Sequence, residues 1–103
     1  MESKRNDEEV VLIITADGKL SKKIRRTNQR NNGPKILWFG REKFSDTRNY
    51  TEWTHLNVSY VIVSDDQFGN EAKETLRELI KRGQFPHVPI QKVSQMVRLG
   101  NVI

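Results

Sequence analysis

Short apolar runs alternate with polar, helix-forming stretches along this chain. Residues 10–14 form an unbroken apolar run of strand length, and residues 58–63 form a second apolar run that only Ser59 interrupts. Such runs are typical of strands that are buried on both faces, as in parallel sheets. Residues 35–40 predict a third strand. Residues 85–90 predict a short fourth strand, and their two prolines indicate that it lies at an edge of the sheet.

Two stretches between these runs have the apolar spacing of helices. The first extends from about residue 19 to 30, and its apolar stripe consists of little more than Leu20 and Ile24. This thin stripe predicts a helix that rests on the sheet by one narrow face, with most of its circumference in water. The second helix, over about residues 71–82, has a full apolar stripe, and residues 64–70 are expected to form the loop before it.

Two segments have a weaker pattern. Residues 41–57 carry aromatic side chains among polar ones, and they predict either a short helix over residues 51–55 or a polar loop with aromatic anchors. Near the end of the chain, the spacing of Val93, Met96 and Val97 predicts a last helix.

The order of these elements predicts the fold class. Strands that alternate with helical stretches imply crossover connections and a parallel sheet. We therefore expect an α/β fold: a small, mostly parallel four-stranded sheet with helices on both faces, Rossmann-like. A chain of 103 residues has room for one core, so residues 9–103 are predicted to be a single α/β domain that follows a flexible polar tail, residues 1–8.

Composition limits the chemistry that the side chains can carry out and predicts where in the cell the protein is located. The chain has no cysteine, which excludes disulfides, thiolate metal sites and a cysteine nucleophile. Its charged N-terminus lacks the apolar core of a signal peptide, and no apolar run approaches the length of a membrane span. These features predict a cytoplasmic protein with no membrane partner.

Positive charge is concentrated in the first half of the chain. The formal net charge is +5, and residues 19–48 contain ten basic residues against two acidic ones. Such a block can concentrate phosphate ligands at one surface. The side chains expected to contact nucleic acid or a nucleotide are Lys19, Lys22, Lys23, Arg25, Arg26, Arg30 and Arg41. The alternative is a solvated helix face that confers solubility.

Aromatic residues interleave with this basic block. Exposed rings beside arginine and lysine are used by proteins that bind single-stranded nucleic acid. Trp38 and Phe39 are instead expected to fill the core from their strand, because large aromatic side chains supply much of a small core. For Tyr50 and Trp53 the sequence leaves both roles open.

Acidic residues follow two of the predicted strands. Asp17 comes after the first strand, and Asp65 and Asp66 come after the third. Ligands of open parallel sheets bind beyond the carboxyl ends of the strands, and carboxylates in this position can hold Mg²⁺ against a phosphate. These three aspartates are therefore candidate metal ligands. The alternative is that Asp17 and Asp66 are helix caps or turn residues.

Two motifs resemble those of Toprim domains. Residues 13–19, IITADGK, are similar to the first motif, a strand that ends in an acidic residue followed by glycine, and residues 61–69, VIVSDDQFG, are similar to the second. Toprim domains carry glutamate in the first motif, where this chain has Asp17. They carry alternating aspartates in the second motif, where Asp65 and Asp66 of this chain are adjacent. The resemblance covers most of residues 10–90, and it implies magnesium-dependent phosphoryl transfer of a nuclease-like kind. The chain also resembles a family of small uncharacterised bacterial Rossmann-like domains.

Three functions follow from these features. The first is a non-catalytic binding module for an anionic partner, nucleic acid or nucleotide, that uses the basic first helix. The second is a Toprim-like enzyme with Asp17, Asp65 and Asp66 as ligands of Mg²⁺. The third is a protein-interaction or regulatory module whose charged surface confers solubility.

Overall fold

The computed structural model of the protein describes residues 8–94. In this part of the chain, four strands and four helices follow one another in the order β1 (Glu9–Ile14), α1 (Gly18–Arg30), β2 (Lys35–Phe39), α2 (Arg41–Ser45), α3 (Arg48–Trp53), β3 (Asn57–Val63), α4 (Gln67–Lys81) and β4 (Ile90–Lys92). No helix within residues 8–94 has both the length and the apolar character needed to cross a bilayer.

The four strands form one sheet in the order β2-β1-β3-β4, and every pairing is parallel. β1 lies in the centre, where Ile14 pairs with Phe39 of β2 on one side and with Val63 of β3 on the other. The fold class predicted from the sequence, a Rossmann-like α/β sheet, is therefore confirmed, and the sheet is parallel throughout.

Side chains that alternate along the strands supply two separate cores. Leu12 and Ile14 point to the face that is covered by α2, α3 and α4, whereas Val11 and Ile13 point to the opposite face, where they pack with Ile24 of α1. Val93, at the start of a last helical segment, also packs on that second face. Helices thus cover both faces, as predicted. The rest of the predicted last helix lies outside the described residues.

Residues 41–57 form two short helices, and neither of the two predictions for this segment describes them fully. Trp53 of α3 is only 1% exposed, and its ring meets Phe39 edge-on with the ring centroids 5.2 Å apart. Tyr50 stacks on Trp53 at 5.0 Å, and Phe44 of α2 does so at 5.9 Å. This aromatic cluster closes the core, so Trp53 is a core residue and Tyr50 covers it.

Helix α4 begins at Gln67, four residues earlier than the prediction, which placed a loop over residues 64–70. Asp66 caps the helix by accepting a hydrogen bond from the N–H of Gly69 at 2.9 Å. Gly69 lies in the first turn because the helix approaches the backbone carbonyl of Ser64 too closely for any side chain. A glycine that resembles a helix breaker is therefore required by packing.

The last strand also differs from its prediction. β4 comprises Ile90–Lys92, whereas the strand was predicted over residues 85–90. Pro86 and Pro89 have no N–H to donate to a neighbouring strand, so the first hydrogen bond to β3 is accepted by the carbonyl of Pro89 from the N–H of Val61 at 3.0 Å. Phe85 is instead buried in the core against Trp53, with the ring centroids 5.8 Å apart.

The close approach at Gly69 predicts the effect of a methyl group at that position. We expect Gly69→Ala to lower the free energy of unfolding by about 2 kcal/mol, because the new Cβ would overlap the Ser64 carbonyl and force the helix away. Urea denaturation measures this change. Gly18→Ala is the matched control, since a Cβ there would lie at an ordinary contact distance of 3.7 Å from Trp38. Equal stability of the two variants would contradict this account.

Candidate functional site

Helix α1 presents its basic side chains to solvent. Asp17 caps the helix by accepting hydrogen bonds from the N–H groups of Lys19 and Leu20 at 3.0 and 3.2 Å. Of its side chains, only Ser21 and Ile24 are buried against the sheet, as the thin apolar stripe predicted. The cations on the exposed circumference of the helix are Lys19, Lys22, Lys23, Arg25, Arg26 and Arg30.

A groove of about 850 Å³ lies between α1 and the edge strand β2, and we call it the α1–β2 groove. Its cations are Lys22, Arg25 and Arg26 of the helix and Lys35 of the strand. Three amide side chains, those of Asn28, Gln29 and Asn32, and the ring of Trp38 also line it. Among the described residues, no carboxylate contributes to its wall. The groove is therefore a positively charged cleft with hydrogen-bonding groups and one aromatic ring.

Trp38 is only partly buried, in contrast to Phe39, which is a core residue as predicted. The two side chains point to opposite faces of an edge strand, and the narrow helix α1 does not cover all of its face. The indole Nε1–H of Trp38 donates a hydrogen bond to the backbone carbonyl of Thr15 at 2.9 Å. The guanidinium carbon of Arg25 lies 5.4 Å from the centroid of the ring. The prediction that Trp38 fills the core is thus only partly correct.

The remaining predicted nucleic-acid contacts lie outside this groove. Lys19, Lys23 and Arg30 are exposed elsewhere on α1. Arg41 lies at the carboxyl end of β2, where its guanidinium carbon is 5.1 Å from the centroid of Phe68. Lys35, the first residue of β2, lines the groove but was not among the predicted contacts. Its position within the basic block of residues 19–48 was the available signal.

The carboxyl ends of β1 and β3 meet where the strand order reverses. The N–H of Ser64 donates to the carbonyl of Ile14 at 3.2 Å, which holds the two strand ends side by side. Two of the aspartates at this edge are helix caps, as the alternative interpretation predicted: Asp17 caps α1 and Asp66 caps α4. Asp65 instead accepts hydrogen bonds from the N–H and hydroxyl of Ser94 at 3.1 and 2.9 Å.

These contacts bear on the predicted magnesium ligands. Asp17, Asp65 and Asp66 each direct their carboxylates to a different set of donors. Within residues 8–94, no group of three or more His, Cys, Asp or Glu side chains is placed so that it could hold a metal ion. Magnesium binding by these three residues stays a prediction.

The fold and the groove define a small parallel α/β domain with an exposed basic helix beside an edge strand. Comparisons with protein-family models, with curated proteins and with solved structures returned no match. The function of the domain is therefore inferred from the chemistry of the groove.

The cap at Asp66 predicts a dependence of stability on pH. The Ser64 hydroxyl, which donates to the Asp66 carboxylate at 2.6 Å, is the main cause that lowers the pKa of this group, and the N–H of Gly69 and the charge of Arg41 act in the same direction. A carboxylate whose pKa is lower in the folded state than in the unfolded chain stabilises the folded protein at pH values above its unfolded-state pKa. This contribution is lost as the pH falls through the folded value.

We therefore expect Asp66→Ala to lower the free energy of unfolding by about 1 kcal/mol at pH 7, through loss of the cap. The difference from wild type should shrink as the pH falls below about 4, where the carboxyl of the unfolded chain begins to be protonated, and should vanish below the lower pKa of the folded state. Urea denaturation at several pH values measures this, with Glu52→Ala on the exposed side of α3 as control. A difference that stays constant down to pH 3 would contradict the assigned role of the carboxylate.

Proposed function

We propose that this domain binds nucleic acid through the α1–β2 groove, with the basic side chains of the groove as contacts for phosphate. The observation that carries the proposal is the composition of the groove wall, which combines four cations with no carboxylate from the described residues. Phosphate oxygens are the acceptors that lysine and arginine bind most often in nucleic-acid complexes.

The cations of the groove are available for such contacts. The ion pairs between described residues lie elsewhere, between Arg48 and Asp46 and within α4. None of the four groove cations takes part in an ion pair within residues 8–94, so a phosphate would not have to displace a carboxylate. The Arg25 guanidinium lies over the Trp38 ring and makes one long hydrogen bond, 3.4 Å, to the carbonyl of Ser21 in its own helix.

The charge pattern of α1 favours a ligand with repeated phosphates. The helix has 13 residues, which corresponds to a length of about 20 Å, and it contains no acidic residue. Like charges three or four residues apart, such as those of Lys22 and Arg26, destabilise a helix by a few tenths of a kcal/mol for each pair. Functional surfaces often carry arrangements of this kind that lower local stability. A polyanion bound along the helix would relieve the repulsion between these side chains.

Phosphoryl transfer is the less favoured alternative. It draws on Asp17, Asp65 and Asp66, which do not form a group that could hold a metal ion within residues 8–94. A binding function uses side chains that have no other partner within the described chain, such as Lys22 and Arg26.

The proposal predicts binding that weakens with salt and depends on the groove. Fluorescence anisotropy with a labelled 20-nucleotide strand, measured over a series of salt concentrations, gives the affinity and its salt dependence. We expect Lys22→Ala/Arg26→Ala to weaken binding about tenfold or more at low salt, and to reduce the slope of log K against log salt by about 1.4, because two phosphate contacts are lost.

Lys81→Ala/Arg82→Ala is the matched control, because it removes the same charge from the end of α4 on the opposite face of the sheet. An equal loss of affinity in both variants would show that net charge alone is responsible. Absence of binding at every salt concentration would refute the proposal. Incubation of the same strand with Mg²⁺ should leave it intact on a denaturing gel, whereas cleavage that is abolished by Asp65→Ala/Asp66→Ala would favour the enzyme.

A further inference from the structure

Trp38 lies at the boundary between two basic cavities. From this position we infer that the ligand is a single strand in which one base stacks on Trp38, with a phosphate held in each cavity on either side. The inference rests on the proposed function and specifies the form of nucleic acid that the site takes.

The two cavities share the indole ring. One is the α1–β2 groove. The other, which we call the carboxyl-edge cavity, measures about 400 Å³ at the end of β2 and is lined by Ala16, Trp38, Gly40, Arg41, Glu42 and Lys43. It contributes two further cations, Arg41 and Lys43, beside one carboxylate, that of Glu42. A strand that crossed the indole would therefore pass from one group of cations to the other.

The surroundings of Trp38 hold the ring in a fixed position and leave it accessible. Its Nε1–H is satisfied by the Thr15 carbonyl at 2.9 Å. Two glycines flank the six-membered ring: a Cβ at Gly18 would lie 3.7 Å from Cη2, and a Cβ at Gly40 would lie 3.9 Å from Cζ2. Because neither residue has a side chain, the backbone borders the ring without covering it. The other tryptophan, Trp53, is fully buried.

An arginine already lies over the ring. The guanidinium of Arg25 is 5.4 Å from the centroid of Trp38, and Arg25 is exposed to solvent. A nucleobase, like a guanidinium, stacks favourably on an indole. A base can take this place on Trp38, and the exposed arginine can then cover the base from outside or contact its phosphate.

Stacking on Trp38 requires a strand whose bases are not paired and stacked on one another. In a duplex the faces of the bases are covered by their neighbours, whereas single strands can present them to aromatic side chains. Cations on both sides of the ring further favour a nucleotide within a strand over a free nucleotide. Lys22 and Lys35 line the cavity on one side. Arg41 and Lys43, whose cationic groups also lie over the rings of Phe68 and Phe39, line the cavity on the other side.

The test compares two labelled ten-unit strands that carry the same phosphate charge, oligothymidine and an abasic strand with the same sugar-phosphate backbone. By fluorescence anisotropy, we expect wild-type protein to bind oligothymidine about fivefold or more tightly, as one stacked base contributes. Trp38→Leu should remove this preference, and Trp38→Phe should retain part of it. A ten-base-pair duplex should compete poorly.

Variants of the carboxyl-edge cavity test the path of the strand. Arg41→Ala/Lys43→Ala should weaken binding of oligothymidine several-fold more than the control Lys81→Ala/Arg82→Ala does. Equal affinity of wild-type protein for the two strands, or preference for the duplex, would overturn the inference and leave salt-dependent binding intact. Absence of binding to every strand would refute the proposed function itself. The wild-type comparison decides the matter even if Trp38→Leu fails to fold, as judged by circular dichroism.

Discussion

The parallel pairing of β1 with a neighbour on each side determines where the other elements can lie. Parallel strands require crossover connections, and these are almost always right-handed. The connection from β1 to β2 runs in one direction along the sheet, and the connection from β2 to β3 runs back across β1. The helix α1 is therefore placed on one face, and α2, α3 and α4 are placed on the other. This arrangement puts the basic helix beside the edge strand and forms the α1–β2 groove between them.

The two faces of the sheet contribute to the molecule in different ways. The face under α4 carries the aromatic cluster around Trp53 and most of the buried apolar side chains, which supply the larger part of the hydrophobic stabilisation. The face under α1 has a smaller core built on Val11, Ile13 and Ile24. Because stability does not depend chiefly on α1, its exposed surface can carry a dense positive charge that would be unfavourable in a purely structural helix. Trp38, at the outer limit of the smaller core, places an aromatic ring beside this charged surface.

Much of the fold follows from local sequence patterns, whereas the details of the site depend on tertiary position. The β-branched runs of β1 and β3 indicated buried parallel strands, and the alternative interpretation of Asp17 as a helix cap is confirmed. The start of α4 was missed because Gly69 resembles a loop residue until its approach to Ser64 is known. The exposure of Trp38 was missed for a similar reason: the thin apolar stripe indicated a narrow helix, but no local pattern shows that β2 is the edge strand that this helix leaves partly uncovered.

Trp38 is the residue at which the basic groove meets a partly exposed aromatic ring, and the buried Trp53 provides an internal comparison. A titration of ¹⁵N-labelled protein with oligothymidine, followed by ¹H–¹⁵N correlation spectra, reports on both indole N–H groups at once. We predict that the Trp38 signal and the amide signals of α1 and β2 shift, while the signal of Trp53, buried on the opposite face, stays in place. Shifts confined to Trp53 and α4, with Trp38 unchanged, would contradict the account.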